Sequence, residues 1–293
     1  MKSAMKPVNA VIKEVRSESP YVRTLRFALS DGFHEQVQAS ASTPALAPAS
    51  ASASITVHAP APIPNPISGQ YAMVWVRGVD EIPMGYSSID EITVHMVGQA
   101  TNALGNLKIG DSVGIRGPLG NGFKLVGDRI LLIGGGVGVA PLAFLGDFAR
   151  KKGIEVTTLV GFRSAQDAIL LGRLKALGDL IITTDDGSLG ISGFASAGLK
   201  DLDLESFSQI YLCGPELMMW DIISRTRDHT GKIQASINRY IKCAVGVCGS
   251  CCLDPGGLKV CVEGPVVSAE RLLDGEFGRY RRGPTGGRES CKG

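Results

Sequence analysis

The rhythm of hydrophobic and polar positions changes twice along the chain. From Tyr21 to Leu29 the two kinds alternate, the period-2 signature of a half-buried strand. Tyr71–Val76 is apolar and aromatic, and Ile92–Val97 and Ser112–Ile115 are further short β-type runs, with turn signals at Ser68-Gly69 and Gly117-Pro118. Several short strands at close spacing predict a small antiparallel barrel ending near Phe123. Beyond it Ile130–Ile133 is apolar throughout, as a strand covered on both faces should be. A glycine run leads into a helical stretch, Ala140–Lys151. Then come a strand (Glu155–Val160), a helix (Ala165–Leu177), two strands (Leu180–Thr184 and Gln209–Cys213) and a helix (Glu216–His229). Such alternation predicts a parallel sheet with helices on its faces. From about Ala235 the chain becomes rich in Cys and Gly. The expected organisation is multidomain: an antiparallel β-barrel domain over 1–125, an α/β parallel-sheet domain over 126–234, a small C-terminal module over 235–280 and a flexible tail over 281–293.

Composition adds one feature and removes several classes. Over residues 39–66, 20 of 28 positions are Ala, Ser or Pro. Such a stretch buries too little apolar surface to offset its ordering entropy, so it reads as a mobile insertion in the barrel, with Ile55–His58 as a short strand inside it. A length of 293 residues with 44% hydrophobic content allows two or three cored units. The net charge is +2 with Lys and Arg scattered, which gives no footprint for nucleic acid. Ile130–Gly146 is the most apolar uncharged run, but its five glycines and one proline mark soluble core, so no membrane role is expected. No apolar signal core follows the polar stretch at Met1–Lys6, and a cytoplasmic location is expected.

Five of the seven cysteines fall within nineteen residues. Cys243, Cys248, Cys251 and Cys261 have the spacing C-x4-C-x2-C-x9-C, whose leading part is the plant-type [2Fe–2S] ligand pattern. Three thiolates must converge from one tight loop, and Gly246 and Gly249 supply the backbone freedom. The rival is a structural zinc site. Zinc usually takes paired C-x2-C knuckles, and here there is one, with no histidine in the module. Cys252 breaks the x2 spacing and reads as a bystander. A second constellation is Ile130–Leu142, a strand, a glycine loop and a helix start, with Pro141 suited to the first turn. Glycines there let a phosphate approach the backbone and sit on the helix N-terminus. Asp185-Asp186-Gly187-Ser188 and Cys213-Gly214-Pro215-Glu216 follow strands of the same sheet, at the edge where open α/β sheets bind ligands. No Ser/His/Asp set or acid–base carboxylate pair stands out.

The stretches SINRYIKCAVGVCGSCC (Ser236–Cys252) and VCVEGPV (Val260–Val266), the run Gly117–Phe123, and Cys213–Glu216 followed by Met218-Met219 point further. Over about Pro7 to Arg281, outside the insertion, the chain resembles the ferredoxin–NADP reductase superfamily. Within that superfamily it looks most like the electron-transfer subunits of type B dihydroorotate dehydrogenases. The resemblance implies a flavin-binding barrel, a nicotinamide-binding α/β domain and a [2Fe–2S] module, in that order. It also implies site residues. Met84-Gly85-Tyr86-Ser87 matches the first flavin motif, with Tyr86 as ring packer and Ser87 as hydroxyl partner; Met84 stands where the family usually has an arginine for a flavin phosphate. His95, Met96 and Val97 would flank the flavin, and Gly98 leads to Thr101, which would cap a helix facing the pyrophosphate. Gly135, Gly136, Gly138 and Val139 match the nicotinamide cofactor's pyrophosphate loop, Arg163 follows the second strand where its ribose or ribose phosphate would lie, Cys213 would lie near its ring, and Asp186, Gly214 and Pro215 would also be cofactor-binding. Cys243, Cys248, Cys251 and Cys261 would hold the cluster.

Electron counting ties these parts together. Nicotinamide exchanges a hydride, an iron–sulfur cluster exchanges single electrons, and a flavin does both. The cofactors implied are FAD, a [2Fe–2S] cluster and NAD. By resemblance the partner is a catalytic FMN-containing dihydroorotate dehydrogenase subunit, in a heterotetramer. Electrons would run from FMN through the cluster and FAD to NAD in pyrimidine biosynthesis. The alternatives are the flavin/[2Fe–2S] subunit of a ferredoxin–NAD(P) oxidoreductase or of a sulfhydrogenase-type complex, and, from another class, a non-redox scaffold.

Overall fold

The computed structural model describes residues 6–29 and 64–291. Residues 39–63 of the Ala/Ser/Pro stretch, with the Ile55–His58 run, lie outside the described residues.

The first lobe is a six-stranded antiparallel sheet of β1 (Val8–Ser19), β2 (Val22–Leu29), β3 (Tyr71–Val76), β4 (Asp80–Gly85), β5 (Glu91–His95) and β6 (Ser112–Leu119), in the order β4-β3-β6-β1-β2-β5. One helix, α1 (Gln99–Gly105), lies between β5 and β6 in the chain. The sheet curls until its edge strands meet at a single bridge, Tyr86 to Ile92. The expected barrel is thus a curled sheet joined at one point. Two of its strands carry weak sequence signals. In β1, Lys13, Glu14, Arg16 and Glu18 interrupt the alternation, and a bulge falls between Ile12 and Glu14. Those charges are matched across the sheet, with Arg16 reaching Glu91 at 2.8 Å and Arg26 reaching Glu14 at 2.5 Å. In β4, Pro83 is tolerated because the strand is an edge.

The second lobe is built on a seven-stranded sheet. Its parallel strands are β7 (Arg129–Gly135), β8 (Glu155–Phe162), β9 (Asp179–Thr184), β10 (Ile191–Ser192), β11 (Gln209–Cys213) and β12 (Ile233–Ser236). The helices are α2 (Val139–Lys151), α3 (Leu171–Lys175) and α4 (Glu216–Arg225). Ile130–Ile133 of the central strand β7 are fully buried, each contributing about 1.5–3 kcal/mol. The expected helix over Ala165–Leu177 is broken. A 3-10 turn covers Ala165–Asp167, Leu170 takes left-handed φ (57°), and only Leu171–Lys175 is α-helical. Ser188 Oγ accepts from Ala165 N, which holds the turn to the next strand–loop, and Ile169 is buried in the core. The helix expected to run to His229 ends at Arg225. Thr226 donates its hydroxyl to the Ile222 carbonyl at 2.8 Å, and a 3-10 stretch follows.

The C-terminal part comprises β13 (Cys252–Leu253), β14 (Leu258–Lys259), α5 (Val260–Glu263), β15 (Val266–Ser268), β16 (Tyr280–Arg282) and β17 (Arg288–Ser290). The expected boundary at 234/235 falls inside β12, and β15 pairs antiparallel with β12 as the last strand of the second sheet. The cysteine-rich module is therefore continuous with the α/β lobe. The expected flexible tail is a hairpin in which β16 pairs with β17, and Arg282 clamps Asp254 from it at 3.0 Å.

Candidate functional site

A cleft of about 1040 Å³ separates the two lobes, with the cysteine module against one wall. Met84 and Gly85 line it from the end of β4. Tyr86 does not: it is 2% exposed, and its ring lies in the core of the curled sheet. Ser87 is fully buried. Its N–H bonds the Glu91 carbonyl at 2.9 Å and its carbonyl accepts from Arg173 Nη2 at 2.9 Å. Ser87 Oγ has no partner among the described residues. An orphaned buried hydroxyl next to the cleft-lining Met84-Gly85 fits a flavin, which would supply the missing polar partner.

His95 lines the cleft, whereas Met96 packs against Gly105 of α1 and Val97 is exposed. Thr101 lines it too, but it is not the helix cap. Gly98 is the N-cap, and Thr101 at N3 accepts from Gly98 N at 2.9 Å and Val97 N at 3.0 Å. Thr93 and Tyr71, missed in the sequence, also face the cleft. Period-2 alternation on β5 puts Thr93 on the same face as His95 and is the signal that would have found it.

On the opposite wall Gly135, Gly136 and Gly138 line the cleft, while Val139 is buried beneath them. Gly136 has φ +50°, and a Cβ there would meet nothing within 4 Å. A Cβ on Gly138 would come 2.6 Å from the Cys213 carbonyl. The loop is thus bare backbone that opens to free space at Gly136, ahead of a 13-residue helix with no acidic side chain in its first turn, and it fits a pyrophosphate. Cys213, Gly214 and Pro215 line the cleft. Burial pushes the Cys213 thiol up to about 12. Arg163 sits at the rim, 71% exposed and paired with Asp167 at 2.9 Å. Asp186 faces away, toward a small neighbouring hollow, where Ser188 donates to it from N and Oγ and holds its carboxyl below the usual range. Asp185 lines the cleft instead, and burial raises its pKa.

All seven cysteines are free. In the Cys-rich loop Ala244, Gly246 and Gly249 take φ of 60°, 78° and 75°, which turns backbone N–H groups toward sulfur. Val245 N and Cys248 N each lie 3.5 Å from Cys243 Sγ, and Cys261 N lies 3.4 Å from Cys251 Sγ. Burial pushes the Cys243 thiol up, but the N–H groups of Cys248, Val245 and Val247 outweigh it and lower the thiol to about 6. Among the described residues no three or more Cys, His, Asp or Glu side chains gather as a site for one ion. The backbone contacts link Cys248 to the Cys243 sulfur and Cys261 to the Cys251 sulfur. With the spacing C-x4-C-x2-C-x9-C, these four thiols fit the ligand set of a [2Fe–2S] cluster. Cys252 lies on β13, paired with Lys259.

The iron–sulfur cluster binding domain of dihydroorotate dehydrogenase B, as a family model, matches residues 238–273. A probable dihydroorotate dehydrogenase B (NAD(+)) electron transfer subunit of Methanocella arvoryzae is 46% identical over 287 residues, 97% of this chain and 99% of that protein. Its counterpart in Methanothermobacter thermautotrophicus is 47% identical over 228 residues, 75% of this chain and 85% of that protein. Among solved structures, the NADH-dependent reduced ferredoxin–NADP oxidoreductase superposes with a TM-score of 0.70 at 23% identity, over 89% of this chain and 88% of that one. The flavohem-like FAD/NAD binding domain of a Vibrio cholerae nitric oxide dioxygenase gives 0.63 at 20% identity, over 80% and 99%. These two share the fold. The match to the Methanocella protein spans nearly the whole of both chains, and this chain belongs to the family of dihydroorotate dehydrogenase B (NAD(+)) electron transfer subunits.

Proposed function

We propose that this chain is the subunit through which electrons taken from dihydroorotate reach NAD, and that it carries FAD and a [2Fe–2S] cluster to do so. The observation that carries the reading is the set of four cysteines in which Cys243 Sγ accepts from Cys248 N and Cys251 Sγ from Cys261 N, in a module that lines a nucleotide-sized cleft. Cys243, Cys248, Cys251 and Cys261 would hold the cluster. Met84, Gly85, Ser87, His95 and Thr101 would hold the flavin, with Tyr86 supporting that wall from the core. Gly135, Gly136 and Gly138 would receive the NAD pyrophosphate on bare backbone, Arg163 and Asp185 would border its ribose, and Cys213, Gly214 and Pro215 would bound its ring. When bound, the flavin supplies the exchange between single electrons and a hydride.

The chain's own residues orient and shield. Ser87 N–H donates to the Glu91 carbonyl and the Ser87 carbonyl accepts from the Arg173 side chain, which fixes the buried hydroxyl two residues from the cleft-lining Gly85. Ser68 Oγ donates to the Pro141 carbonyl at 2.6 Å, which ties the flavin wall to the glycine-loop helix. Buried Cys213 stays a neutral thiol and brings no charge to the ring site. We further propose that the partner is a catalytic FMN-containing subunit, that the two form a heterotetramer, and that they work in the cytoplasm. The chain's free thiols suit a reducing compartment.

The test is to combine the purified subunit with the catalytic subunit and follow NADH formation from dihydroorotate. Parental protein should support it. A Cys248→Ser protein should lose the reduced-cluster paramagnetic signal and the NADH formation together. Turnover at the parental rate without a cluster would refute the reading.

A further inference from the structure

Two of the bonds from the curled sheet to the cysteine module end on the backbone of a proposed cluster ligand. Tyr71 on β3, 4% exposed, donates its hydroxyl to the Cys261 carbonyl at 3.0 Å across 190 residues of sequence. Arg116 on the neighbouring strand β6, 8% exposed, donates from Nη1 to the Cys243 carbonyl at 3.2 Å. Its other donors grip Glu81 of β4, Nε at 3.0 Å and Nη2 at 2.7 Å, so the guanidinium cannot swing away without breaking an ion pair. The two anchored cysteines belong to different N–H···S-linked pairs, Cys243 with Cys248 and Cys261 with Cys251. A side chain of the curled sheet therefore reaches the backbone of each pair. Tyr71 also lines the cleft, so a single ring borders both sites.

We propose that Tyr71 and Arg116 are positioning residues that register the two thiol pairs against the nucleotide cleft and thereby set the reduction potential of the cluster. The inference rests on Cys243 and Cys261 being ligands. A buried tyrosine hydroxyl commonly finds some carbonyl. Here two donors from adjacent strands, Met73 of β3 lying opposite Arg116 of β6, choose one ligand residue from each pair. Cys243 precedes Ala244 and Gly246, whose backbone is left-handed, in a loop that has no strand of its own. Ligand geometry, local charge and hydrogen bonding around the sulfurs are what tune such a cluster. Arg116 also brings a cation, which favours the reduced, more negative state.

The test uses the full-length subunit carrying its flavin and cluster, as Tyr71→Phe, Arg116→Gln and Arg116→Lys. Iron and flavin per chain, the low-temperature EPR spectrum of the reduced protein and a redox titration are compared with the parent. Tyr71→Phe keeps the ring and loses the hydroxyl, and its EPR g-values should shift. Arg116→Gln should make cluster reduction about tenfold less favourable, equivalent to about 59 mV for one electron. Arg116→Lys keeps the charge without the fork and should recover only part of that. Parental spectra and potentials in both Tyr71→Phe and Arg116→Gln would overturn the proposal, and full recovery in Arg116→Lys would overturn a positioning role for Arg116. If Tyr71→Phe fails to fold, the two Arg116 variants decide. A parental protein lacking a [2Fe–2S] signal would instead overturn the ligand assignment itself.

Discussion

Replacing Arg239 by methionine should loosen the cysteine module from the α/β lobe. The Arg239 side chain is 1% exposed and binds two carboxylates. It reaches Glu216, at the start of α4, from Nη1 at 2.8 Å and Nη2 at 3.1 Å, and Glu276 from Nε at 2.8 Å. Glu276 is itself 0% exposed in its side chain, while Glu216 is 14% exposed. Methionine keeps the stem's packing and removes the charge, so the cost concentrates on Glu276, left buried as an anion with only the Asp254 N–H at 3.1 Å. Removing one partner of a buried pair costs about 3–5 kcal/mol. At roughly 2–4 °C per kcal/mol, the melting temperature should fall by roughly 6–20 °C. Glu276→Gln alone should cost less, because Arg239 keeps its two bonds to Glu216. The double variant should recover part of the Arg239→Met loss, with a coupling of about 0.5–3 kcal/mol. Thermal and urea denaturation of all four proteins, followed by flavin fluorescence and far-UV dichroism, provide the cycle. An Arg239→Met protein within about 1 kcal/mol of the parent, with no coupling to Glu276, would refute the reasoning.

Among the cysteines, serine at 243, 248, 251 or 261 should strip iron from the protein, and Cys252→Ser should leave iron content nearly parental, because Cys252 breaks the x2 spacing and lies on β13 opposite Lys259. Gly138→Ala puts a Cβ 2.6 Å from the Cys213 carbonyl and should abolish flavin reduction by NADH in stopped-flow absorbance while flavin and iron stay bound. Cys213, with its pKa pushed up to about 12, is a neutral thiol at all lower pH and should resist iodoacetamide at about pH 8; mass spectrometry showing it alkylated as fast as a free thiol would contradict that environment.

Part of this molecule is legible without coordinates, and the reason is locality. Ile130–Ile133, Glu155–Val160 and Gln209–Cys213 announce themselves because strands buried on both faces must be apolar wherever the fold puts them. The thiol spacing is legible because three of the four sulfurs must converge within one loop, and glycines at 246 and 249 make that turn possible. The glycine loop at 134–138 is equally local, since strand, turn and helix follow without interruption.

What the sequence does not carry is whatever depends on distant partners. β1 hides behind its charges because the carboxylates and guanidinium groups that neutralise them sit on other strands. The C-terminal module reads as separate because the pairing of β15 with β12 joins segments thirty residues apart in the chain. Asp185 and Asp186 are adjacent and chemically alike, and only the bonds from Ser188 turn one carboxylate away from the cleft. Thr101 reads as a cap by residue type, yet the backbone puts it at N3. Tyr71 and Arg116 carry no motif at all. Their contacts with Cys261 and Cys243 exist because the curled sheet packs its third and sixth strands against the cysteine loop, 190 and 127 residues further along. The kind of chemistry was written in local spacing, but the registration of one site against the other was decided by tertiary packing, because a hydrogen bond between remote segments leaves no periodic trace in either.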